Sequence, residues 1–384
     1  MAQRRSWRWR SRTPKLLSSS MTNFSTTRLA NIKTRITELG ITAVALGPTD
    51  SMKYVYGFHP KPDERPTMLV VTRHGEALLM PELNAAEAKR YINAKMYEYT
   101  DEDGPSAALT QLLADLQVTP GTVAVDGEMR TDYALLLLNH LPGSTPVLAN
   151  EVVGQLRIIK DEDEISELIR NARIADRGME AAFATLKPGL TEREVADIIT
   201  QEFLRAGGDK AMFTIVAAGE HGAFPHHHTG NTKLQAGESV LLDIGAASGL
   251  YVSDITRMAF IGEPSEEYLK VHQIVDSAVQ AALATIKPGV LAKEVDKAAR
   301  DVITEAGYGE YFTHRTGHGL GMATHEEPYI TATSELVLQE GMVFSVEPGI
   351  YLPGKFGVRL EEIVVVRANG PQIFSELPRE VHVV

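Results

Sequence analysis

Val240-Leu241-Leu242-Asp243-Ile244 and, eleven positions on, Val252-Ser253-Asp254-Ile255-Thr256 each set a carboxylate inside an apolar strand pattern. The arrangement recurs further along. Glu347 ends the run Met342-Val343-Phe344-Ser345-Val346, and Glu361 opens onto Ile363-Val364-Val365-Val366. Between the two pairs stands His318, in Gly317-His318-Gly319-Leu320-Gly321. Taken singly, such an Asp is most often a turn or cap residue, and a glycine-flanked His a loop residue. Taken together they need another account. An unpaired buried carboxylate costs several kcal/mol, so four of them in apolar strands call for a shared cationic partner. Four negative charges and one imidazole suit two divalent cations with shared ligands.

An internal repeat frames this set. Ala181-Ala182-Phe183-Ala184-Thr185-Leu186-Lys187-Pro188-Gly189 recurs as Ala281-Ala282-Leu283-Ala284-Thr285-Ile286-Lys287-Pro288-Gly289, an offset of 100 residues. Glu194-Val195 matches Glu294-Val295 and Ala206-Gly207 matches Ala306-Gly307 at the same offset. Each copy reads as a helix, a Lys-Pro-Gly turn and a second helix, followed by a hairpin carrying two of the carboxylates. Thr191 and Glu194 form a capping box in the first copy, where the second has Leu291. Two copies at so long a period do not make a solenoid. They make two halves about a pseudo-two-fold, each lending a hairpin to one central site. Before the first copy, Asp161-Glu162-Asp163-Glu164 opens a helix at its positive end. Its buried stripe is Ile165, Leu168, Ile169, Ala172, Met179 and Phe183.

Upstream, a separate α/β domain is expected over residues 21–150, with the repeat-bearing domain over 151–384. A helix over Asn31–Leu39 leads to a strand at Ala43–Leu46 and the aromatic segment Tyr54–Phe58. Thr67–Thr72 and Ala77–Met80 read as a hairpin. Helical periods follow at Asn84–Asn93, Ser106–Leu116 and Thr131–Leu141, with a strand at Thr122–Asp126. No cluster of candidate ligands lies in this domain, so shaping access to the site is its expected part.

Residues 1–20 differ from the rest. They hold Arg4, Arg5, Arg8, Arg10, Arg12 and Lys15, no acidic residue, and both tryptophans. They read as an unstructured or spurious extension upstream of Met21, with a transit peptide or a basic arm as the other readings. The remaining chain is therefore more acidic than the net charge of −12, which disfavours nucleic acid and anionic membranes as partners. Composition is that of an ordinary globular protein, 43% hydrophobic and 23% charged. No apolar stretch approaches the roughly 18 residues of a membrane span. The chain has no cysteine, which excludes a thiolate metal site and fits a cytoplasmic location.

The chemistry follows from the ligand types. Mostly oxygen donors favour manganese, with cobalt or zinc as alternatives. Two ions a few ångströms apart polarise a carbonyl and make hydrolysis the reaction class, and a carboxylate can carry the proton to the leaving amine. Further histidines surround the set: His226 to His228 before Asp243, His314 before His318, and His325 after it. The Gly-x-Gly-x-Gly spacing around His318 is not a nucleotide-binding turn, since no strand–turn–helix frames it. Its glycines are expected to let backbone pack close to the metals.

These motifs resemble the pita-bread metallopeptidases, which include methionine aminopeptidase, aminopeptidase P and prolidase. The resemblance rests on Leu242-Asp243-Ile244-Gly245-Ala246, Ser253-Asp254-Ile255-Thr256-Arg257, Gly317 to Gly321, Val346-Glu347-Pro348-Gly349-Ile350-Tyr351 and Val358-Arg359-Leu360-Glu361. It is strong over roughly residues 150–384 and weaker over 21–150, which resembles the creatinase-like N-terminal domain of the proline-specific branch. By this resemblance Asp243 chelates one ion, Asp254 and Glu361 bridge, and His318 and Glu347 hold the other. Glu347 doubles as general acid and base, His226 and His325 position the substrate carbonyl, and Arg359 and Tyr351 occupy supporting catalytic positions. The implied activity is hydrolysis of the bond preceding proline by a homodimer, with Xaa-Pro dipeptides first and longer Xaa-Pro peptides, as for aminopeptidase P, second. A non-catalytic pita-bread binding protein is the distant alternative. One departure stands out. Prolidases often carry an arginine after the second histidine to hold the dipeptide carboxylate, and here no Lys or Arg falls between His325 and Glu347. The cation must come from elsewhere, with His314, Arg359, the N-terminal domain or a neighbouring chain as candidates.

Overall fold

The structure, a computed structural model, describes residues 19–384, with side chains from Phe24 onward. Most of the basic extension, and with it the expectation that residues 1–20 are unstructured, lies outside the described residues. The chain divides into two compact units between Val153 and Gly154. No helix among the described residues is long and apolar enough to cross a membrane.

The first unit is built on a six-stranded sheet in the order Lys95–Tyr99, Glu76–Pro81, Met68–Val71, Ala43–Leu46, Thr122–Val125, Thr145–Leu148. The central four carry the continuous apolar runs, and the hairpin is the one read from sequence. The two strands that sequence reading missed are the two edges. Lys95–Tyr99 exposes part of its length and Thr145–Leu148 most of it. Short edge strands with solvated side chains carry little apolar signal. The first helix begins at Ser19 rather than Asn31, and the aromatic segment ends the helix Asp50–Tyr56, which Gly57 closes at φ 67°.

In the second unit the repeat becomes two helix pairs, Glu162–Phe183 with Glu192–Arg205 and Glu266–Thr285 with Ala292–Glu305. The Thr191 hydroxyl accepts from the Glu194 N–H at 3.1 Å, and Glu194 accepts from the Thr191 N–H at 2.8 Å. In the second copy half of this box survives: Glu294 accepts from the Leu291 N–H at 3.1 Å, while leucine offers no acceptor in return.

Two sheets lie against these helices. The first runs His382–Val383, Ile255–Phe260, Ser239–Ser248, Lys210–Ala218, with Tyr251–Val252 also paired to Ser239–Ser248. The second runs Glu326–Ile330, Gly317–Gly319, Val343–Val346, Glu362–Arg367, Gly370–Ile373. A two-stranded ribbon pairs Gly349–Leu352 with Phe356–Arg359. Strand Ser239–Ser248 is covered on both faces. Val240, Leu242, Ile244 and Ala246 enter the hydrophobic cluster of the first helix pair, and Leu241 that of the second. Burial on both faces is why this stretch is continuously apolar.

The carboxylates correct a detail of the sequence reading. Asp243 does lie within a strand, opposite Thr256 on one neighbour and Ile215 on the other. Asp254, Glu347 and Glu361 stand in breaks, after Val252, after Val346 and between Arg359 and Glu362. The interrupted backbone bonds elsewhere: the Glu361 N–H reaches the Thr256 carbonyl at 3.3 Å, and the Glu347 N–H reaches that of Thr316 at 2.8 Å. A break frees the side chain from strict alternation, so residues on different strands can aim at one point.

Candidate active site

His318 sits on the short strand Gly317–Gly319, pressed between neighbours. A Cβ at Gly317 would overlap the Ser345 carbonyl, and one at Gly319 the Glu327 carbonyl. These glycines therefore let strands close around His318, a nearer cause than the expected approach of backbone to metal. The Nδ1–H of His318 faces the Gly319 carbonyl at 3.1 Å. Its Nε2 faces Glu347 Oε1 (3.1 Å) and Asp254 Oδ2 (3.8 Å). Ligand atoms of Asp254, His318 and Glu361 all lie within 4.8 Å of one another.

The electrostatics of this cluster are unbalanced. Burial, then the charges of Glu361, Asp243 and Glu347, push the Asp254 carboxyl far above the usual range. Burial and the charges of Glu347 and Asp243 do the same to Glu361. Burial also works against Glu347, but the hydrogen bond and charge of His318 hold it down at about 2. Glu361 Oε2 accepts from the Thr256 hydroxyl at 2.8 Å. Glu361 Oε1 and Asp243 Oδ1 are buried without any hydrogen-bond partner. An imidazole nitrogen set among carboxylates, two orphaned carboxylate oxygens and a hard, oxygen-rich donor set fit divalent cations.

Behind this cluster lies a second network. Arg359 is buried, and its Nη2 donates to Asp243 Oδ2 at 2.6 Å. Its Nη1 donates to the Tyr351 hydroxyl at 2.9 Å. Tyr351 in turn meets His314 Nε2 at 2.7 Å, while His314 Nδ1 lies 2.7 Å from the Arg315 carbonyl. A carbonyl only accepts, so Nδ1 carries the proton and Tyr351 donates to Nε2. Burial lowers the His314 pKa, which keeps this ring neutral. Tyr351 thus stands behind Arg359 rather than on the wall of the cleft.

The cleft itself has a volume of about 660 Å³. Asp243, Asp254, His318, Glu347 and Arg359 form its floor, and His226, His314, Arg315 and His325 also line it. Phe213, Ile215 and Pro225 supply apolar wall. His325 packs on His318 with ring centroids 4.0 Å apart. Burial, then the neighbouring His318 and Arg315, lower its pKa to about 4, so the ring is neutral near pH 7.

Residues 167–368 match the metallopeptidase family M24, and residues 28–159 match the creatinase/prolidase N-terminal domain. The chain is 39% identical to the probable dipeptidase PepE of Mycobacterium bovis over 93% of its length and 96% of that protein's. The chain belongs to the M24 metallopeptidase family. Solved M24 relatives share its two-domain pita-bread architecture. Dipeptidase PepE from Mycobacterium ulcerans superposes with a TM-score of 0.89 at 38% identity, over 94% of this chain and 99% of that one. A prolidase from Thermococcus sibiricus gives 0.89 at 33% identity, over 94% and 98%. The X-Pro aminopeptidase of Thermotoga maritima gives 0.77 at 32% identity, over 90% and 98%. Membership of M24 makes the chain a metallopeptidase and implies divalent metal ions at its site.

Two features of this M24 site were missed in the sequence. Arg315 is the first. Its guanidinium lies over the Tyr329 ring at 4.4 Å and faces His325 Nδ1 at 3.5 Å. Among the described residues no carboxylate lies in ion-pairing range of it. The sequence offers no cation between His325 and Glu347, and the candidates read from it elsewhere, His314 and Arg359 among them, did not include Arg315. Pairing of His318 with Tyr329 across two strands brings Arg315 to the same place from the other side.

The second is Glu326, beside His325. It is buried between Arg157 Nη2 at 2.5 Å and Lys160 Nζ at 2.9 Å. Burial opposes ionisation here, but Lys160 and Arg157 outweigh it and lower the pKa below the ordinary 4.5. A carboxylate with a depressed folded pKa stabilises the fold above its unfolded value and loses that contribution as pH falls through the folded one. Glu326→Gln is therefore expected to lose about 3 kcal/mol of stability at pH 7 by stranding two buried cations. Urea midpoints measured against pH should show the deficit shrinking below pH 4.5. A deficit that is constant down to pH 3 would show that packing, not charge, is what the substitution removes.

Proposed function

We propose that this metallopeptidase is an Xaa-Pro dipeptidase. Asp243, Asp254, His318, Glu347 and Glu361 would hold two divalent cations, manganese by preference because the donors are mainly hard oxygens. When bound, these ions polarise the scissile carbonyl and activate the attacking water. The remaining work falls to side chains. Glu347, kept ionised beside His318, takes the proton of the water and delivers it to the proline nitrogen as the C–N bond breaks. His226 and His325 border the cleft and donate N–H to the oxygen on which negative charge develops. Nδ1 of His325 faces the Arg315 guanidinium, a donor, so the proton is on Nε2. The proline nitrogen carries no N–H, and the apolar wall of Phe213, Ile215 and Pro225 asks for none.

Arg315 carries the dipeptide assignment. It is a guanidinium on the cleft wall, steadied by an aromatic ring and without an ion-pair partner among the described residues. Arg359, the other arginine of the cleft, is already committed to Asp243 and Tyr351. A dipeptide brings a carboxylate one residue beyond the scissile bond, and a guanidinium binds it through paired charge-assisted bonds. The names dipeptidase and prolidase among the relatives support the same reading.

Steady-state kinetics on Ala-Pro and its C-terminal amide, with parent and Arg315→Ala, test it. Amidation and Arg315→Ala should each raise KM about 10- to 100-fold, the worth of a charged hydrogen-bond pair. Amidation should cost the Arg315→Ala variant little more. Equal efficiency of the parent on both substrates would move the assignment to an aminopeptidase acting on longer peptides.

A further inference from the structure

Glu192 is a buried carboxylate with no part in the cleft described above. It opens the helix Glu192–Arg205 and is fully excluded from solvent. Its Oε1 accepts from the Ala218 N–H at 3.0 Å and meets His221 Nδ1 at 2.8 Å. Its Oε2 accepts from the Gly230 N–H at 2.9 Å and meets His227 Nε2 at 3.0 Å. Every one of these partners lies between Ala218 and Gly230, the segment that carries His226. The two imidazoles stack on each other, with centroids 4.4 Å apart.

Glu192, His221 and His227 have the residue types and spacing of a metal site. Their hydrogen bonding argues otherwise. Both carboxylate oxygens already accept two bonds each, from backbone and imidazole N–H groups, so no lone pair is left for an ion. Burial works against the charge of Glu192, yet the bonds from His227, Ala218, His221 and Gly230 lower its pKa below the usual value. The position at the helix N-terminus adds to the same effect. The cluster is saturated as it stands.

The other half of the repeat solves the same problem differently. Position 292 is a buried alanine. Four residues later Asp296, also buried, accepts from the Thr316 N–H at 3.1 Å and the Thr316 hydroxyl at 2.8 Å. It pairs with Arg300, which donates to the carbonyls of Phe312 and His314. In each half, then, the helix after the Lys-Pro-Gly turn presents one buried carboxylate to the segment bearing a site histidine: His318 in the second, His226 in the first.

We propose that Glu192 is a positioning residue for His226, fixing its segment from both sides so that the imidazole meets the substrate carbonyl in register. The inference rests on the reading above that His226 meets substrate. A side chain on a loop held by two bonds on either side of it forfeits less freedom when the transition state forms, and a misplacement of about 1 Å in such a group can cost on the order of 100-fold in rate.

The test is a double-mutant cycle on the manganese-loaded enzyme with Ala-Pro. Glu192→Gln keeps the shape but turns one acceptor into a donor facing N–H groups. It should lower kcat about 10- to 100-fold with KM little changed, and leave divalent-ion content at the parental value. His226→Ala should lower kcat while retaining its metal. In the His226→Ala background, Glu192→Gln should cost less than about 2-fold more, because the group it positions is gone. If Glu192→Gln fails to fold, His227→Gln removes a single bond of the four and should show the same non-additivity at smaller size. Full additivity of either variant with His226→Ala overturns the positioning role. So does loss of a bound divalent ion on Glu192→Gln, which would make the cluster a metal site. An unimpaired His226→Ala takes away the reading of His226 itself, and the proposal with it.

Discussion

Stripped of divalent ions by a chelator, the protein should lose at least about 1,000-fold in Ala-Pro hydrolysis, because Lewis-acid stabilisation worth several kcal/mol leaves with them. Reloading with manganese should restore the rate with about two ions bound per chain. The expectation comes from what the carboxylates lack. Asp243 Oδ1 and Glu361 Oε1 are buried and bonded to nothing, and His318 Nε2 stands 3.1 Å from Glu347 and 3.8 Å from Asp254. No protein partner among the described residues satisfies the two orphaned oxygens, and a cation would satisfy both together. Full turnover by protein shown to hold no metal would remove the basis of the proposed mechanism.

Glu347→Gln should be nearly as severe. The amide removes one negative ligand and cannot move a proton, and general acid–base catalysis alone contributes about 100- to 10,000-fold. Saturating manganese separates the two losses. With ion content brought back to the parental level, kcat should remain down by about 1,000-fold. Recovery of the rate on metal addition alone would leave Glu347 a ligand and give the proton transfer to another group.

The identity of these carboxylates was legible in the sequence because polar residues in apolar runs demand a reason. Their setting was less so. Alternation suggested strand interiors, whereas Asp254, Glu347 and Glu361 occupy breaks whose backbone bonds cross to other strands. Only long-range pairing reveals such breaks, and local periodicity carries none of that information. The same limit hid Arg315, which reaches the cleft through the register of His318 against Tyr329. Glu192 was hidden for a different reason. At the start of a helix a glutamate is expected for the dipole alone, and nothing in its neighbours tells that the loop around His226 folds back onto it. The repeat, by contrast, was visible, since the second helix of each pair keeps the 100-residue offset, Glu192–Arg205 against Ala292–Glu305.

The five side chains proposed as ligands come from both copies of that repeat, Asp243 and Asp254 from one and His318, Glu347 and Glu361 from the other. Ions held among them would tie together points 118 residues apart, from Asp243 to Glu361. A covalent bridge that closes a loop of about 100 residues removes roughly 5 kcal/mol of unfolded-chain entropy. This chain has no cysteine with which to form one. Its active centre would thus double as the staple of the catalytic unit, a reversible cross-link that tightens when the enzyme is charged for work and slackens when the ions leave.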